Sequence, residues 1–294
     1  MRIAVTGATG LVGTALGTFL RKAGHVVIPI SRSPAPGGVR WDPARGQLDA
    51  DELAGVDAVV HLAGENIAAE RWTADRKQEL RVSRVGPTGL LARTIAGMKQ
   101  KPSVLVSASA VGIYGEHGDA MVDETTPPAD DFLGRLAVAW EAAAQPARDA
   151  GIRVVHPRIA TVLAPDGGAL EKMLPFFRAG LGGPLAGGRH WMPWVAITDL
   201  VRAIQLLLER TDLAGPFNVV APGIVRNSEF TAALGAAVNR PAIIPVPRFA
   251  LTLLYGELAD AALLTSTRVA PARLEAAGFR FELPDIETAL AVVT

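Results

Sequence analysis

Thr6-Gly7-Ala8-Thr9-Gly10-Leu11-Val12-Gly13 follows directly on the apolar run Ile3-Ala4-Val5 and leads directly into a helical pattern. A strand, a glycine-spaced turn and a helix in that order form a site for a dinucleotide. Glycine at the strand exit adopts positive φ. The glycines beyond it let the backbone approach a diphosphate and let the helix pack closely on its strand. The free N–H groups and positive dipole end of the helix then face the phosphates. Gly7, Thr9, Gly10, Leu11, Val12 and Gly13 are therefore the first candidate cofactor-binding residues. A tight turn that uses the same glycines for packing alone is the competing reading, and the strand-turn-helix context weighs against it.

Outward from this turn, short β-branched runs alternate with longer amphipathic stretches, the pattern of a parallel sheet covered by helices on both faces. Strands are predicted at Arg2–Val5, His25–Ile30, Asp57–Leu62, Ser103–Ser107, Arg153–Pro157 and Phe217–Val220, with a short extra strand at Val39-Arg40-Trp41. Helices are predicted near Leu11–Ala23, Thr73–Met98, Phe132–Asp149 and Thr198–Glu209. Gly86-Pro87 predicts a kink or a late start in the second of these. Pro165–Pro193, rich in Gly and Pro, reads as loop and short helix, and the pattern turns helical again after Val220.

Composition narrows the function. Lys plus Arg and Asp plus Glu stand at 29 each, which gives no long-range field for nucleic acid or an anionic membrane. The absence of cysteine removes disulfides, thiolate chemistry and sulfur-ligated metals, and the five histidines show no metal-ligand spacing. No apolar run approaches the roughly 18 residues that span a bilayer. A strand beginning at the second residue leaves no room for a signal peptide, so a cytoplasmic protein with a small-molecule substrate is expected.

The end of the second strand speaks to the choice of coenzyme. An NAD site places an acid about 20 residues beyond the glycine turn to hold the ribose hydroxyls, whereas a 2′-phosphate needs a cation. Ile30-Ser31-Arg32-Ser33 carries no acid; Arg32 offers a planar fork and Ser31 a hydroxyl, so NADP (NADPH) is the expected cofactor.

Several motifs together resemble the extended short-chain dehydrogenase/reductase superfamily. They are the glycine turn, His61-Leu62-Ala63-Gly64 at a strand end, and Ser107-Ala108-Ser109-Ala110 followed by Tyr114-Gly115. Gly64-Glu65-Asn66-Ile67, Trp140-Glu141, Gly182-Gly183-Pro184, Met192-Pro193-Trp194 and Gly278-Phe279-Arg280-Phe281 are similar to its atypical "epimerase family" subgroup, nearly end to end. The resemblance implies an α/β, Rossmann-type doubly wound parallel sheet with a smaller, mostly helical C-terminal substrate-binding region. Residues 1–164, completed by 195–220, would form the dinucleotide part, and 165–194 with 221–294 the substrate part. It also implies that His61, Leu62, Ala63 and Gly64 pass beneath the adenosine and ribose, that Glu79 and Arg84 lie on a helix lining the nicotinamide side, and that Arg158 and Val162 pass near the nicotinamide. Arg84 equally fits a solvated face with Arg76, Lys77, Glu79 and Arg81, and Arg158 equally fits a buried structural arginine. A homodimer is an analogy to relatives only.

In its chemistry the chain departs from that superfamily, whose site pairs a tyrosine with a lysine four residues later. A phenol of pKa about 10 is about 4 kcal/mol short of ionisation at pH 7, and a nearby ammonium closes much of the gap. With Glu141 taken as the family's helix glutamate, those two positions are Leu133 and Ala137, and Phe132–Glu141 contains no tyrosine and no lysine at all. Ser109, matching the family serine, and Tyr114, just past it, remain as catalytic candidates: the serine to polarise a carbonyl, the phenol to donate a proton. Arg189, Trp191 and Trp194, in a glycine-led cluster, are the substrate candidates, for an anionic ring-containing ligand. Two readings stand together. One is an NADP-dependent oxidoreductase or epimerase acting on a small carbonyl or sugar-nucleotide-like substrate; the other is a non-catalytic NADP(H)-binding sensor.

Overall fold

Ile3 and Val5 are fully buried in one cluster with Leu16 and Leu20, while Ala4 between them is buried in another with Leu91 and Ile95. Val104 and Val106 against Leu105 repeat the division. A strand whose alternating side chains are all apolar has both faces covered, which is why these segments read as unbroken hydrophobic runs.

In the computed structural model, which describes residues 1–294, the first half runs β1 (Arg2–Thr6), α1 (Leu11–Lys22), β2 (Val26–Ser31), β3 (Val39–Asp42), β4 (Gln47–Leu48), β5 (Ala58–His61), α2 (Ala74–Gly97), β6 (Val104–Ser107), β7 (Ser109–Ala110), β8 (Met121–Val122), α3 (Phe132–Ala142) and α4 (Gln145–Asp149). The second half runs β9 (Arg153–Ile159), β10 (Thr161–Leu163), α5 (Gly168–Arg178), β11 (Trp191–Met192), β12 (Trp194–Ala196), α6 (Ile197–Glu209), β13 (Gly215–Val219), β14 (Val225–Arg226), α7 (Asn227–Ala237), α8 (Arg248–Tyr255), β15 (Arg268–Val269), α9 (Ala272–Ala276) and α10 (Ile286–Val293).

The main sheet has the order β13-β9-β6-β5-β1-β2-β3-β4, with β7 also paired to β9. Every pairing in it is parallel except β3 with β4. This is the expected doubly wound α/β sheet. The chain leaves β1 toward β2 on one side and returns to β5 on the other, so a crevice opens at the C-terminal ends of β1 and β5.

Two expectations are corrected. The predicted helix Phe132–Asp149 is two helices, because Pro146 in the first turn of α4 has no N–H for the carbonyl of Ala142 and crowds it. Of the kink or late start expected at Gly86-Pro87, the late start does not occur: the helix begins at Ala74, where the Thr73 hydroxyl accepts from the Arg76 N–H, and it continues through Pro87. Capping and the buried Leu80, Leu91 and Ile95 outweigh the hydrogen bond that proline forfeits. No helix is long and apolar enough to cross a membrane.

Candidate functional site

Gly7 exits β1 at φ 67°, and a Cβ there would lie 2.9 Å from the Leu62 carbonyl carbon. A Cβ on Gly13 would lie 2.1 Å from the Gly7 oxygen and 2.8 Å from the Ala8 Cα. These two glycines therefore let the turn lie flat between the end of β5 and the start of α1. No side chain caps the start of α1, where Gly10 precedes it. The first-turn amides of Leu11, Val12 and Gly13 lie beyond reach of any intrahelical acceptor. Ser31 ends β2 one residue beyond the Thr6–Ile30 pair, and Arg32 beside it is exposed. Uncapped amides, a turn free of side chains and an exposed guanidinium at the next strand end fit a dinucleotide carrying an extra phosphate.

The strand end at His61 is held from within. The Leu62 and Ala63 N–H groups donate to the Thr6 hydroxyl oxygen at 3.2 and 3.3 Å, so the Thr6 O–H turns to His61 Nδ1 at 2.7 Å. His61 Nε2 then donates to the Thr88 hydroxyl oxygen at 2.9 Å, and the Thr88 O–H donates to the Arg84 carbonyl at 2.7 Å. The ring is fully buried and neutral; burial lowers its pKa to about 3. His61 thus fixes the backbone of Leu62 and Ala63, and its side chain lies away from the cavity. His156, on β9, is likewise held by burial at about 4. Both rings take up protons in the unfolded chain below about pH 6.5 but not in the folded one, so stability falls as pH drops from 6.5 toward these values. The slope is at most about 1.4 kcal/mol per pH unit for each ring. Urea unfolding at successive pH values checks this: His61→Gln is expected to lower stability at pH 7 and to flatten the acid limb, and an unchanged slope would refute the assignment.

From the start of α1 a cavity of about 560 Å³ runs past Leu62 and Val162 to Ser109. Its far walls are Ile67, Leu133, Leu136, Met192 and the C-terminal segment Ala261–Leu263. The volume suits a small ligand. Leu133 and Ala137 line it, so the wall where the superfamily's tyrosine and lysine are expected is apolar. Arg84 also lines it, but this guanidinium donates to the carbonyls of Leu80 (3.2 Å) and Glu65 (2.8 Å) and stacks on Trp140. Burial lowers its pKa to about 10. The solvated helix face considered for this stretch is corrected at Arg76 and Arg84, both of which are buried.

Ser109 reaches the cavity but its O–H donates to Glu141 at 2.7 Å. Glu141 is bound in turn by Arg158 through two hydrogen bonds, Nε to Oε1 at 2.9 Å and Nη2 to Oε2 at 3.0 Å. Arg158 Nη1 donates to the Tyr114 hydroxyl at 2.9 Å, and Tyr114 donates to Asn218 Oδ1 at 2.7 Å. Burial pushes the Glu141 carboxyl up, but the Arg158 hydrogen bonds, His156 and Ser109 outweigh it and leave the group below its ordinary pKa. An ionised Glu141 can only accept, which fixes Ser109 as the donor and leaves its lone pairs for the cavity. The expectation that Ser109 polarises a carbonyl by donation does not fit this geometry. Tyr114 is fully buried and bonded to Arg158 and Asn218, and burial raises its pKa despite Arg158. It stands off the cavity wall, and Arg158 is occupied by Glu141 and Tyr114; both site expectations are corrected to an internal polar chain.

Other candidates disperse. Glu79 is exposed and pairs with Arg76 at 3.0 Å, away from the cavity. Arg189 is exposed and off the wall. Trp194 is fully buried and donates to the Gly223 carbonyl at 2.9 Å, so it belongs to the core. Trp191 does line the cavity, stacked between Arg226 at 4.4 Å and Arg268 at 4.8 Å, with its indole donating to Asp119 at 2.7 Å. In the sequence Glu141 marks only the register of a helix; its place on α3, facing β7 and β9, makes it the hub of the polar chain. His190, in the sequence one residue of a glycine-led loop, lines the cavity.

Comparison with known proteins agrees with this architecture. The profile described as "NAD dependent epimerase/dehydratase family" matches residues 3–220, and one described as "Domain of unknown function (DUF1731)" matches residues 246–293. An epimerase family protein of Mycobacterium tuberculosis is 44% identical, covering 99% of this chain and 97% of that protein. The human epimerase family protein SDR39U1 is 39% identical over 99% of this chain and 98% of its own length. The crystal structure of human SDR39U1 (isoform 2) with NADPH superposes with a TM-score of 0.92 at 38% identity, covering 100% of this chain and 99% of that one. A nucleoside-diphosphate sugar epimerase from Corynebacterium glutamicum gives 0.81 at 37% identity, covering 99% of this chain and 57% of that one. With the glycine turn, the doubly wound sheet and a family match across most of the sequence in agreement, the chain belongs to the NAD-dependent epimerase/dehydratase family.

Proposed function

We propose that this protein binds NADP(H) and acts as an oxidoreductase or epimerase on a small carbonyl or alcohol substrate, without a tyrosine–lysine pair. Residues 1–164 with 195–220 hold the dinucleotide, and 165–194 with 221–294 complete the substrate side. The observation that carries this reading is the continuity of one cavity from the uncapped start of α1 to Ser109 and the apolar far wall. Leu11, Val12, Leu62 and Val162 line the part that the dinucleotide would fill, and Ile67, Leu133, Leu136 and Met192 line further wall that a substrate would meet. The NADPH present in the human SDR39U1 structure supports the choice of coenzyme. Leu11, Val12 and Gly13 would meet the diphosphate through their amides, Arg32 and Ser31 the 2′-phosphate, and Leu62 and Val162 the body of the dinucleotide. When bound, the nicotinamide exchanges a hydride with a substrate carbon. The chain's own part is to exclude water with Leu133, Leu136 and Met192 and to fix Ser109 through Glu141. The apolar wall at Leu133 and Ala137 favours a second reading, in which occupancy sets conformation without turnover.

Calorimetric titration tests the first reading. NADPH is expected to bind more tightly than NADH, and Arg32→Ala to weaken NADPH about ten- to a hundredfold with little effect on NADH, as loss of a charge-assisted phosphate contact predicts. Equal affinities in the parent protein would refute it. Oxidation of NADPH with a panel of aldehydes and ketones then separates turnover from sensing.

A further inference from the structure

The helix α8, a few residues before the cavity wall Ala261–Leu263, shows its apolar side to water. At about 100° per residue, Phe249, Leu253, Ala250, Leu254 and Leu251 follow one another round its axis over an arc of about 200°. Such a stripe ordinarily faces a core. Only Leu251, at one edge of the arc, is buried here, while Phe249, Leu253 and Leu254 are 74%, 71% and 63% exposed. Ile243 and Ile244 on the approach to α8, and Tyr255 at its end, are exposed as well. Six of the fourteen large exposed hydrophobics of the chain thus fall within residues 243–255, so the exposure is concentrated and not scattered. Single exposed hydrophobics need no explanation, but a contiguous patch marks an interaction site. The helix is held in this attitude: Leu258, just beyond it, is buried with Trp72, Leu80 and Leu136, and Lys77 on α2 donates to Glu257 at 2.6 Å.

Charge selects the partner. Arg248 pairs with Asp260 at 2.8 Å and Glu257 with Lys77, while the exposed Arg71 at the groove beside α8 follows the exposed Glu70. A lipid surface requires a surplus of lysine and arginine around such a face, and this rim is balanced. A second copy suits it: the chain carries 29 basic and 29 acidic residues, so two copies do not repel, and a rim bearing both signs is complementary to itself about a two-fold axis. The six side chains, exposed as they are, leave about 700 Å² open, near the ~800 Å² that each partner of a stable pair buries. We infer that two copies of this chain pair about a two-fold axis through α8, with Phe249 and Leu253, one turn apart, packed against the α8 of the other copy. The inference is independent of the coenzyme and of the reaction.

Sedimentation velocity of the full chain from about 1 to about 100 µM is expected to show a dimer as the largest species, because a two-fold contact closes on itself. Leu253→Arg and, separately, Phe249→Glu set like charges against their copies across the axis. Each is expected to weaken association at least about tenfold with the circular dichroism spectrum of the parent, since both side chains stand in solvent in the single chain. Val138→Arg, at an exposed position on α3, is the control and is expected to associate as the parent does. Vesicles of phosphatidylcholine with phosphatidylglycerol are expected to leave the protein in solution when they are pelleted. A monomeric parent at the highest concentration, a ladder of species above the dimer, parent-like association or unfolding of both α8 variants, loss of the dimer in Val138→Arg, or vesicle binding that Leu253→Arg abolishes would each overturn the proposal.

Discussion

Glu141→Ala is expected to cost about 3–5 kcal/mol of folding stability, the range for removing one partner of a buried ion pair. The Glu141 and Arg158 side chains are 15% and 9% exposed, so little water replaces the lost carboxylate. The variant leaves the guanidinium unneutralised beside Tyr114 and frees the Ser109 hydroxyl. Replacing both partners by apolar residues, Glu141→Leu with Arg158→Met, is expected to recover most of the loss, because the cost lies chiefly in the orphaned charge. Urea unfolding of the two single variants and the double variant checks this. A single-variant loss below about 1 kcal/mol, the scale of a surface pair, would show that the arginine finds solvent.

Gly13→Ala is expected to weaken NADPH binding about a hundredfold or more and to destabilise the fold by about 1–3 kcal/mol, the usual cost of forcing an extra carbon into packed backbone. Its Cβ would meet the Gly7 oxygen at 2.1 Å, and every atom nearby is main chain that cannot rotate away. Either α1 lifts from the turn or the turn loses the positive φ at Gly7; both misplace the amides of Leu11 and Val12. Gly10→Ala is the stability control: its Cβ finds one protein atom, the Gly7 oxygen, at 3.4 Å, and a parent-like unfolding midpoint is expected. Calorimetry beside thermal unfolding separates the two effects. Parent-like affinity in Gly13→Ala would mean that the turn does not hold the coenzyme.

The sheet and the turn were legible because their causes are local. β1, β5 and β6 are buried on both faces and announce themselves as unbroken apolar runs, and Gly7 and Gly13 occupy positions that few other residues tolerate. What stayed hidden depends on where a side chain turns. Tyr114 follows a tight turn at 111–113, and nothing in the sequence says that its ring enters the core to meet Asn218, 104 residues on. Arg158 was open to two readings for the same reason, since its partner Glu141 comes from another element. Trp191 and Trp194 lie three residues apart and divide between cavity and core, because β12 pairs into the interior beside β10 while β11 pairs with β14 nearer the surface. The splitting of Phe132–Asp149 could have been read, since Pro146 stands in plain view.

Ala261–Leu263 and Thr267 line the same cavity as Leu11, so segments far apart in the sequence meet in one chamber. During synthesis, the cleft beside the first helix takes shape long before its ceiling is translated. Small molecules filling the finished chamber tie a later-made segment to an earlier one, and a truncated product that still grips coenzyme would leave its chamber open to water.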